Sequence, residues 1–502
     1  MNKRKIPLYI LSILLMFLST LAFMSALWYV NMYGNVGFSA IIFTLNTDNG
    51  AVEEGILLSF ALKALLPSIV LTALLWIGLH YKPQKSIKIK DIKKNKEYTI
   101  FPLSKKITTP ISAILIVAFL LSAAFMVSLP QYVISIIDKT AIYDDEYVNP
   151  DDVEITFPEE KRNLIYILLE SMETSFFSKE LGGGLKYNVI PELYDLAKEN
   201  TNFSHSLDVG GWPVVTNATW TIASMVSQTS GVPLSIPMKR NTYGKSSTFM
   251  PGITTMQDIL NDNGYYQAVM FGSDGNYAGR DQYYLQHGAD KVYDLYTARN
   301  DGIIPSDYKV WWGMEDLHLY QYAMHELPKL AEKDQPFAFT MLTVDTHHVN
   351  GYKCSLCGDQ YKEQYENVYS CASKQLLNFV NWLKTQPFYE NTTIIICGDH
   401  ASMDGAYFDR NFDSDYERHI YNCFINSAAE TTNTKERVFT PFDMFPTTLA
   451  AMGCKIEGER LGLGTNLYSD IPTLAEKITL EVLNDELGKT SDYYLKHFFK
   501  SK

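Results

Sequence analysis

The chain has 502 residues, 46% of them hydrophobic, which is enough for more than one domain with a sizeable core. Its net charge of −13 is unevenly distributed, because residues 1–108 hold 13 Lys and Arg against 5 Asp and Glu, whereas residues 109–502 hold 30 against 51. This asymmetry indicates a membrane-bound part followed by a soluble part, and the acidic balance of the soluble part excludes nucleic acid as an expected partner.

Three apolar runs near the start of the chain predict transmembrane helices. They are residues 6–30, 55–79 and 107–137. Each exceeds the ~20 residues that a helix needs to cross a hydrocarbon core. The loop 81–106 carries nine lysines, whereas residues 31–54 carry three acids and no Lys or Arg. The positive-inside rule then places the lysine loop in the cytoplasm, which predicts a multi-pass protein of the cell membrane whose soluble part lies outside the cytoplasm.

The remaining boundaries follow from composition. We expect a membrane anchor over residues 1–138, a juxtamembrane linker over 139–162, an α/β domain over 163–470 and a charged helical tail over 471–502. The linker is predicted because this stretch is polar and acidic and contains two prolines.

The soluble part opens with residues 163–169, an apolar run typical of a strand buried on both faces of a parallel sheet. Glu170 follows directly, at the strand end where open α/β sheets bind ligands. A helix N-terminal acid that the dipole stabilises is the alternative interpretation, and we interpret Glu173 as such an acid.

A Gly/Pro loop rich in hydroxyls, residues 210–221, then leads into the helical pattern of Ile222, Met225 and Val226. A threonine at such a helix start is ordinarily an N-cap. The same position would also stabilise an alkoxide or a bound phosphoryl group, so an alcohol nucleophile is the alternative.

Two more predicted strands, residues 267–274 and 337–344, end in polar groups. After the first, Arg280 either clamps an anionic oxygen or forms a surface ion pair with Asp281. After the second, the adjacent His347 and His348 indicate either a site or ordinary loop polarity.

The cysteines Cys354, Cys357 and Cys371 lie in one insertion. Cys354 and Cys357 have the spacing of a zinc half-site, but no second pair with suitable spacing follows. In an oxidising compartment a disulfide from Cys371 to Cys354 or Cys357 is the favoured interpretation. Cys397 and Cys423 lie in apolar runs and are predicted core residues.

The β-branched run that begins at residue 392 predicts another buried strand, and it stops at Asp399 and His400. A carboxylate oxygen and an imidazole nitrogen together suit a divalent cation. A strand-ending turn in which the Asp caps the next helix is the alternative.

Together these motifs resemble the alkaline phosphatase/sulfatase superfamily, and within it the branch of lipoteichoic acid synthases and membrane-oligosaccharide phosphoglycerol transferases. The resemblance spans about residues 163–468. Its motifs, in order, are Leu169-Glu170-Ser171, Thr219-Trp220-Thr221-Ile222-Ala223-Ser224, Thr346-His347 and Gly398-Asp399-His400. It implies an N-terminal helical transmembrane region and an extracytoplasmic, sulfatase-like α/β domain with a central, mostly parallel sheet.

The resemblance also implies residue roles. The implied metal ligands are Glu170, Thr221, Asp399 and His400, and the implied substrate-binding residues are His347, Arg280 and Asp274. Thr221 would be the nucleophile, and it is preferred over Thr219 because a Ser three residues later and a following Met match related phosphoethanolamine transferases. Carboxylate ligands with one histidine suit Mn²⁺ or Mg²⁺, with Zn²⁺ as a further candidate.

The implied function is metal-dependent transfer of glycerol phosphate. The donor would be phosphatidylglycerol in the outer leaflet, the intermediate would be linked to Thr221, and the acceptor would be a glycan or a lipoteichoic-acid-like polyol phosphate. Phosphoethanolamine transfer is the alternative. Sulfatase or other ester hydrolysis is less favoured, because sulfatases need C/S-x-P-x-R and the nearest approach, residues 235–239, has Lys in place of Arg. The three predicted spans are fewer than the five of lipoteichoic acid synthases.

Overall fold

The structure is a computed structural model that describes residues 5–33, 38, 41, 54–81, 87–91, 96–101, 103–235 and 248–499. Most of the segment 235–239 therefore lies outside the described residues. The chain divides into two compact units, one up to Val133 and one from Ile134 onward, apart from residues 39–49, which belong to the second.

The first unit is built from apolar helices. Its elements are α1 (Lys5–Tyr33), α2 (Glu54–Phe60), a π-helical turn (Ala61–Leu65), α3 (Leu66–His80), α4 (Lys105–Met126) and a hairpin of β1 (Ile87–Asp91) and β2 (Lys96–Phe101). Three helical segments, Ile10–Met32, Leu57–His80 and Lys105–Met126, are long and apolar enough to cross a membrane. The predicted apolar runs are thus helical, whereas the hairpin inside the lysine loop was not predicted.

Polar side chains join α1 to the second apolar segment inside this unit. The Thr20 and Thr72 hydroxyls lie 2.7 Å apart, and the Trp28 indole donates to the Ser59 hydroxyl over 3.1 Å. Such hydrogen bonds between helices are typical of membrane bundles, in which burial of apolar surface supplies no driving force.

The second unit contains most of the chain. Its helices are α5 (Leu129–Ile137, which begins in the first unit), α6 (Ile142–Glu146), α7 (Pro191–Glu199), α8 (Thr221–Ser230), α9 (Met256–Asp262), α10 (Arg280–Gln286), α11 (Leu295–Asn300), α12 (Asp316–Ala331), α13 (Gln364–Leu383), α14 (Gly405–Asn411), α15 (Met444–Ala451), α16 (Leu474–Ile478), α17 (Leu480–Gly488) and α18 (Asp492–His497). Its strands are β3 (Ile155–Thr156), β4 (Asn163–Leu169), β5 (Gly211–Pro213), β6 (Tyr266–Phe271), β7 (Lys291–Tyr293), β8 (Phe337–Leu342), β9 (Thr392–Gly398), β10 (His419–Ile425), β11 (Lys455–Ile456), β12 (Arg460–Leu461) and β13 (Gly464–Thr465).

Seven of these strands form the central sheet, in the order β5-β10-β9-β4-β8-β6-β7. The five strands from β9 to β7 are parallel, and β10 runs antiparallel to both of its neighbours. The predicted α/β class with a mostly parallel sheet is confirmed.

The middle strand, β4, is apolar throughout because both of its faces are covered. Leu164, Tyr166 and Leu168 belong to one core cluster, and the alternate residues belong to the other. A strand with one exposed face alternates polar and apolar residues, whereas a strand covered on both faces is apolar along its whole length. The continuous apolar run was therefore a valid signal for the centre of the sheet.

The segment 139–162 lies against the core of the second unit, unlike the free spacer that its composition suggested. Ile142 and Tyr143 on α6 are buried, and β3 pairs with β11. Residues 471–499 contain α16, α17 and α18. They pack inward, because the Tyr143 ring contacts Tyr494 and Phe498 with centroid distances of 5.4 and 5.8 Å. Residues 139–162 and 471–499 thus pack into one core.

All six cysteines are free thiols, so the predicted disulfide from Cys371 is not formed. Cys397 and Cys423 are fully buried within strands, as their apolar surroundings indicated.

Candidate active site

The site is built at the carboxyl ends of two adjacent parallel strands. Leu169 of β4 pairs with Gly398 of β9. The next residue of each strand is an acid, so Glu170 and Asp399 emerge side by side, and they are 2% and 1% exposed. Ligands of open α/β sheets bind at this edge.

A tight turn after β4 holds the two acids in place. Ser171 has a positive φ of 54°, which is uncommon for a residue with a side chain, and its amide donates to Asp399 Oδ1 over 2.7 Å. Gly398 makes room for this turn, because a Cβ there would lie 2.0 Å from the carbonyl oxygen of Met172. The glycine before Asp399 is therefore a packing requirement.

His400 supplies a nitrogen to the same place. Its Nδ1 donates to the Ala401 carbonyl over 2.8 Å, which leaves the Nε2 lone pair directed at the acids in the neutral ring. Nε2 lies 3.3 Å from Asp399 Oδ2 and 3.6 Å from Glu170 Oε1. A hydrogen bond to the distal ring nitrogen is the usual support of a metal-binding histidine.

Thr221 is the first residue of α8, and Trp220 is the N-cap. The Thr221 hydroxyl oxygen lies 3.5 Å from Glu170 Oε2 and 3.3 Å from His400 Nε2. The ordinary N-cap interpretation of Thr221 is therefore wrong. The side chain is only partly buried, so its oxygen sits at the mouth of an otherwise buried cluster.

Helix α8 is fixed to the strand ends by hydrogen bonds inside the core. The Ser224 hydroxyl donates to the Asp399 carbonyl, and the Gln228 amide donates to the Gly398 carbonyl over 3.3 Å. Gln228 also accepts from the Tyr166 hydroxyl of β4 over 2.7 Å. The threonine and the acids are thus carried by elements that are bonded to one another.

The electrostatics of the cluster call for a cation. Carboxylate oxygens of Glu170 and Asp399 and a ring nitrogen of His400 all lie within 4.8 Å of one another. Asp399 Oδ2 is buried without a hydrogen-bond partner among the described residues. Burial and the nearby Glu170 carboxylate raise the pKa of Asp399 to about 7. Burial opposes protonation of His400, but the two carboxylates raise its pKa above the ordinary value. These residues fit a divalent cation, which would neutralise both acids.

Two of the predicted substrate-binding residues follow β6, Asp274 on the loop and Arg280 at the start of α10. Arg280 is 4% exposed, and its guanidinium donates to the Ser273 hydroxyl and to the Asp274 carbonyl over 2.8 and 2.6 Å. The expected alternative, a surface ion pair of Arg280 with Asp281, is therefore not formed. The Asp274 carboxylate accepts from the Asn276 amide of its own loop and from the Tyr296 hydroxyl of α11.

The third predicted substrate-binding residue, His347, lies after β8. Its Nδ1 donates to the His348 carbonyl over 2.7 Å, and its ring packs against Trp312 with a centroid distance of 4.8 Å. The same loop is joined to the cluster by Thr346, whose hydroxyl donates to the Glu170 carbonyl. His347 thus lies on a loop that reaches the cluster through Thr346.

Glu173 is the functional neighbour that the sequence reasoning missed. It is fully buried, and its carboxylate is paired with Arg418 and accepts from the Ser402 amide over 3.0 Å. It therefore holds the loop that follows His400. The acid was interpreted as an ordinary helix acid because Arg418, its partner, lies 245 residues away.

We expect Glu173→Gln to destabilise the protein by about 3 kcal/mol, since breaking a buried ion pair leaves a charge uncompensated. Thermal unfolding of the purified chain measures this loss. Glu363→Gln is the control, because the 3.6 Å pair of the half-buried Glu363 with the exposed Arg410 is open to solvent, and such pairs contribute about 0–1 kcal/mol. Equal melting temperatures for the two variants would contradict the structural role of Glu173.

Comparison with known proteins places this geometry in context. The model of the sulfatase family matches residues 162–454. Phosphoglycerol transferase I of Escherichia fergusonii and of Salmonella choleraesuis are each 31% identical over 257 residues, which covers 50% of this chain and 32% of theirs. The chain thus spans about a third of the length of the curated relatives it matches. The solved structure of the lipoteichoic acid synthase LtaP from Listeria monocytogenes aligns with a TM-score of 0.49 and 20% identity, over 65% of this chain and 80% of that one.

Proposed function

The chain belongs to the sulfatase family, and from that premise we propose that it is a phosphotransferase that moves glycerol phosphate from a phospholipid to an acceptor hydroxyl. The observation that carries the proposal is the Thr221 hydroxyl, placed within 3.5 Å of both Glu170 and His400 at the start of α8. The identity of 31% to phosphoglycerol transferase I supports the choice of glycerol phosphate as the transferred group.

We propose that Glu170, Thr221, Asp399 and His400 hold a divalent metal. Three oxygen donors and one nitrogen favour Mn²⁺ or Mg²⁺. Such a cation, when bound, lowers the pKa of the Thr221 hydroxyl and neutralises the oxygens of the phosphodiester. The protein contributes a fixed donor set, because Ser171, Ser224 and the Ala401 carbonyl orient the individual ligands.

Transfer proceeds in two displacements at phosphorus. In the first, Thr221 Oγ1 forms a bond to phosphorus, and the bond between phosphorus and the diacylglycerol oxygen breaks. Diacylglycerol leaves with the proton that Thr221 gave up. In the second, an acceptor hydroxyl attacks the same phosphorus and breaks its bond to Thr221, which regains a proton. The positive end of α8, a ten-residue helix, favours the negative charge that develops on Oγ1.

The remaining predicted residues surround this centre in our proposal. Burial lowers the pKa of Arg280, and the charge of the Glu170 carboxylate acts in the opposite direction. We propose that Arg280, His347 and Asp274 bind the phosphoglyceryl group. Three apolar helices would hold the domain on the outer face of the membrane, beside a donor in the outer leaflet and a glycan or polyol-phosphate acceptor.

Donor identity is tested with the full-length chain in vesicles that contain either phosphatidylglycerol or phosphatidylethanolamine, with Mn²⁺ added. We expect release of diacylglycerol from the phosphatidylglycerol vesicles alone. Release from phosphatidylethanolamine alone would replace the glycerol phosphate assignment by phosphoethanolamine transfer. Hydrolysis of a soluble sulfate ester, with neither lipid cleaved, would overturn the transferase proposal.

A further inference from the structure

A second cluster of metal-ligating side chains joins the loop between β8 and α13 to α13 itself. The sulfurs of Cys354, Cys357 and Cys371 all lie within 4.8 Å of one another. Cys354 and Cys371 are buried, and Cys357 is partly buried. None of these residues belongs to the donor set described above. They therefore need an explanation of their own.

The distances between the sulfurs have the size of a metal site. Cys354 Sγ lies 3.6 Å from Cys357 Sγ and 3.7 Å from Cys371 Sγ. Zinc–sulfur bonds of ~2.3 Å in a tetrahedron separate two sulfurs by about 3.8 Å. A disulfide needs ~2.05 Å and joins only two sulfurs, so it would leave a third thiol in contact with the bond. Cys354 is almost equally distant from both partners, which favours a shared centre over one pair.

The groups around the sulfurs hold them at one place. Cys357 N donates to the Cys354 carbonyl over 3.1 Å, which closes a turn that presents two of the cysteines together. The side-chain amide of Gln375, on α13, lies 3.4 Å from Cys371 Sγ and 3.8 Å from Cys354 Sγ. Hydrogen bonds from N–H groups favour the ionised sulfur that a metal requires.

We propose that Cys354, Cys357 and Cys371 bind a zinc ion as thiolates. The Gln375 amide keeps its orientation, in which it donates to the thiolates of Cys371 and Cys354 and supports them from just outside the set of metal ligands. Binding releases the three thiol protons and forms three zinc–sulfur bonds without any change of oxidation state. The three thiolates would occupy three of the four tetrahedral positions of the zinc ion.

The zinc would join the loop after β8 to α13. Two hydrogen bonds already hold that loop: Tyr352 N donates to the Asp345 carbonyl over 2.7 Å, and the Tyr365 hydroxyl donates to the Thr346 carbonyl over 2.8 Å. Cys354 lies further along this loop and Cys371 lies on α13, so the metal would add another link between the loop and the helix. The site would thereby hold the backbone that carries His347.

The test measures zinc in full-length protein purified without chelators, by elemental mass spectrometry. We expect one zinc per wild-type chain that is retained in Asp399→Asn, which lacks a donor of the other cluster, and lost in Cys357→Ser. Cys423→Ala, a buried cysteine of β10, is the matched control and should retain zinc. Replacing zinc by Co²⁺ should add a thiolate charge-transfer absorption that Cys357→Ser lacks.

Wild-type protein alone can overturn the proposal, so misfolding of a variant cannot protect it. Peptide mapping of the unreduced chain that finds Cys354 cross-linked to Cys371 or Cys357 would contradict the zinc site. Purified protein that contains no zinc, and whose three thiols react rapidly with an alkylating reagent in the absence of a chelator, would contradict it as well. Loss of zinc in Asp399→Asn but not in Cys357→Ser would assign the metal to the other cluster.

Discussion

Thr221→Ala should abolish transfer, with turnover falling by roughly 10³-fold to 10⁶-fold, as expected when a covalent nucleophile is lost. The methyl side chain of alanine leaves nothing within bonding distance of the phosphorus. Thr221→Ser keeps the hydroxyl at the start of α8 and should retain part of the activity. Both rates are measured as diacylglycerol release from phosphatidylglycerol.

Intact mass spectrometry separates loss of the nucleophile from loss of the fold. Wild-type chain incubated with donor lipid and no acceptor should gain the mass of one glycerophosphoryl group, and Thr221→Ala should gain none. Thr219→Ala is the matched control, since it removes a threonine hydroxyl two residues away and should leave the adduct intact. An adduct that persists in Thr221→Ala, or disappears in Thr219→Ala, would show that the wrong threonine has been chosen.

Asp399→Asn should weaken binding of the divalent metal by more than ~100-fold, beyond the 10–100-fold typical of residues that only support a ligand. Asp399 Oδ2 is buried without a hydrogen-bond partner among the described residues, so the carboxylate is available to a cation. The neutral amide of asparagine would not offset the metal charge. Equilibrium dialysis against Mn²⁺ measures the change, and Asp409→Asn, an exposed aspartate on α14, is the control.

The same experiment has a pH signature. The raised pKa of Asp399, about 7 without metal, means that a proton competes with the cation. Affinity for Mn²⁺ should therefore increase as the pH rises through 7, and this increase should be smaller in Asp399→Asn. The sign for stability is opposite: a carboxyl whose folded pKa is raised stabilises the metal-free protein at low pH, and this contribution is lost as the pH rises through about 7. Affinity that is independent of pH in the wild type would argue against Asp399 as a ligand.

The sequence predicted the ends of β4 and β9 because the signal there is local. A β-branched run covered on both faces is apolar without interruption, so the point where it stops marks the strand end, and Glu170 and Asp399 are the next residues. Sequence alone left both acids with a helix-terminus alternative. The adjacency of the two strands, which brings the acids together, depends on pairing between segments more than 200 residues apart and has no local signal.

Contacts between residues far apart in the sequence account for the other differences between the predictions and the structure. The sequence allows Arg280 to be a surface residue paired with Asp281. In the structure its guanidinium carbon lies 4.7 Å from the centroid of the Phe271 ring. The acidic segment 139–162 reads as a spacer because its charges outnumber its apolar residues. The buried Tyr143 on α6 nevertheless anchors the segment, because its aromatic partners Tyr494 and Phe498 lie more than 300 residues further along the chain.

The shared core of the segments 139–162 and 471–499 affects the order in which the protein can assemble. Thr140 N donates to the Thr490 carbonyl over 3.1 Å, and Thr490 N donates back to Ser135, so the two segments are bonded as well as packed. During synthesis the first of them leaves the ribosome about 350 residues before its partner, a delay of tens of seconds at 5–20 residues per second. Tyr143 lacks its partners Tyr494 and Phe498 for that whole interval. The central sheet can pair earlier, but this layer closes only after residues 471–499 have left the ribosome as well.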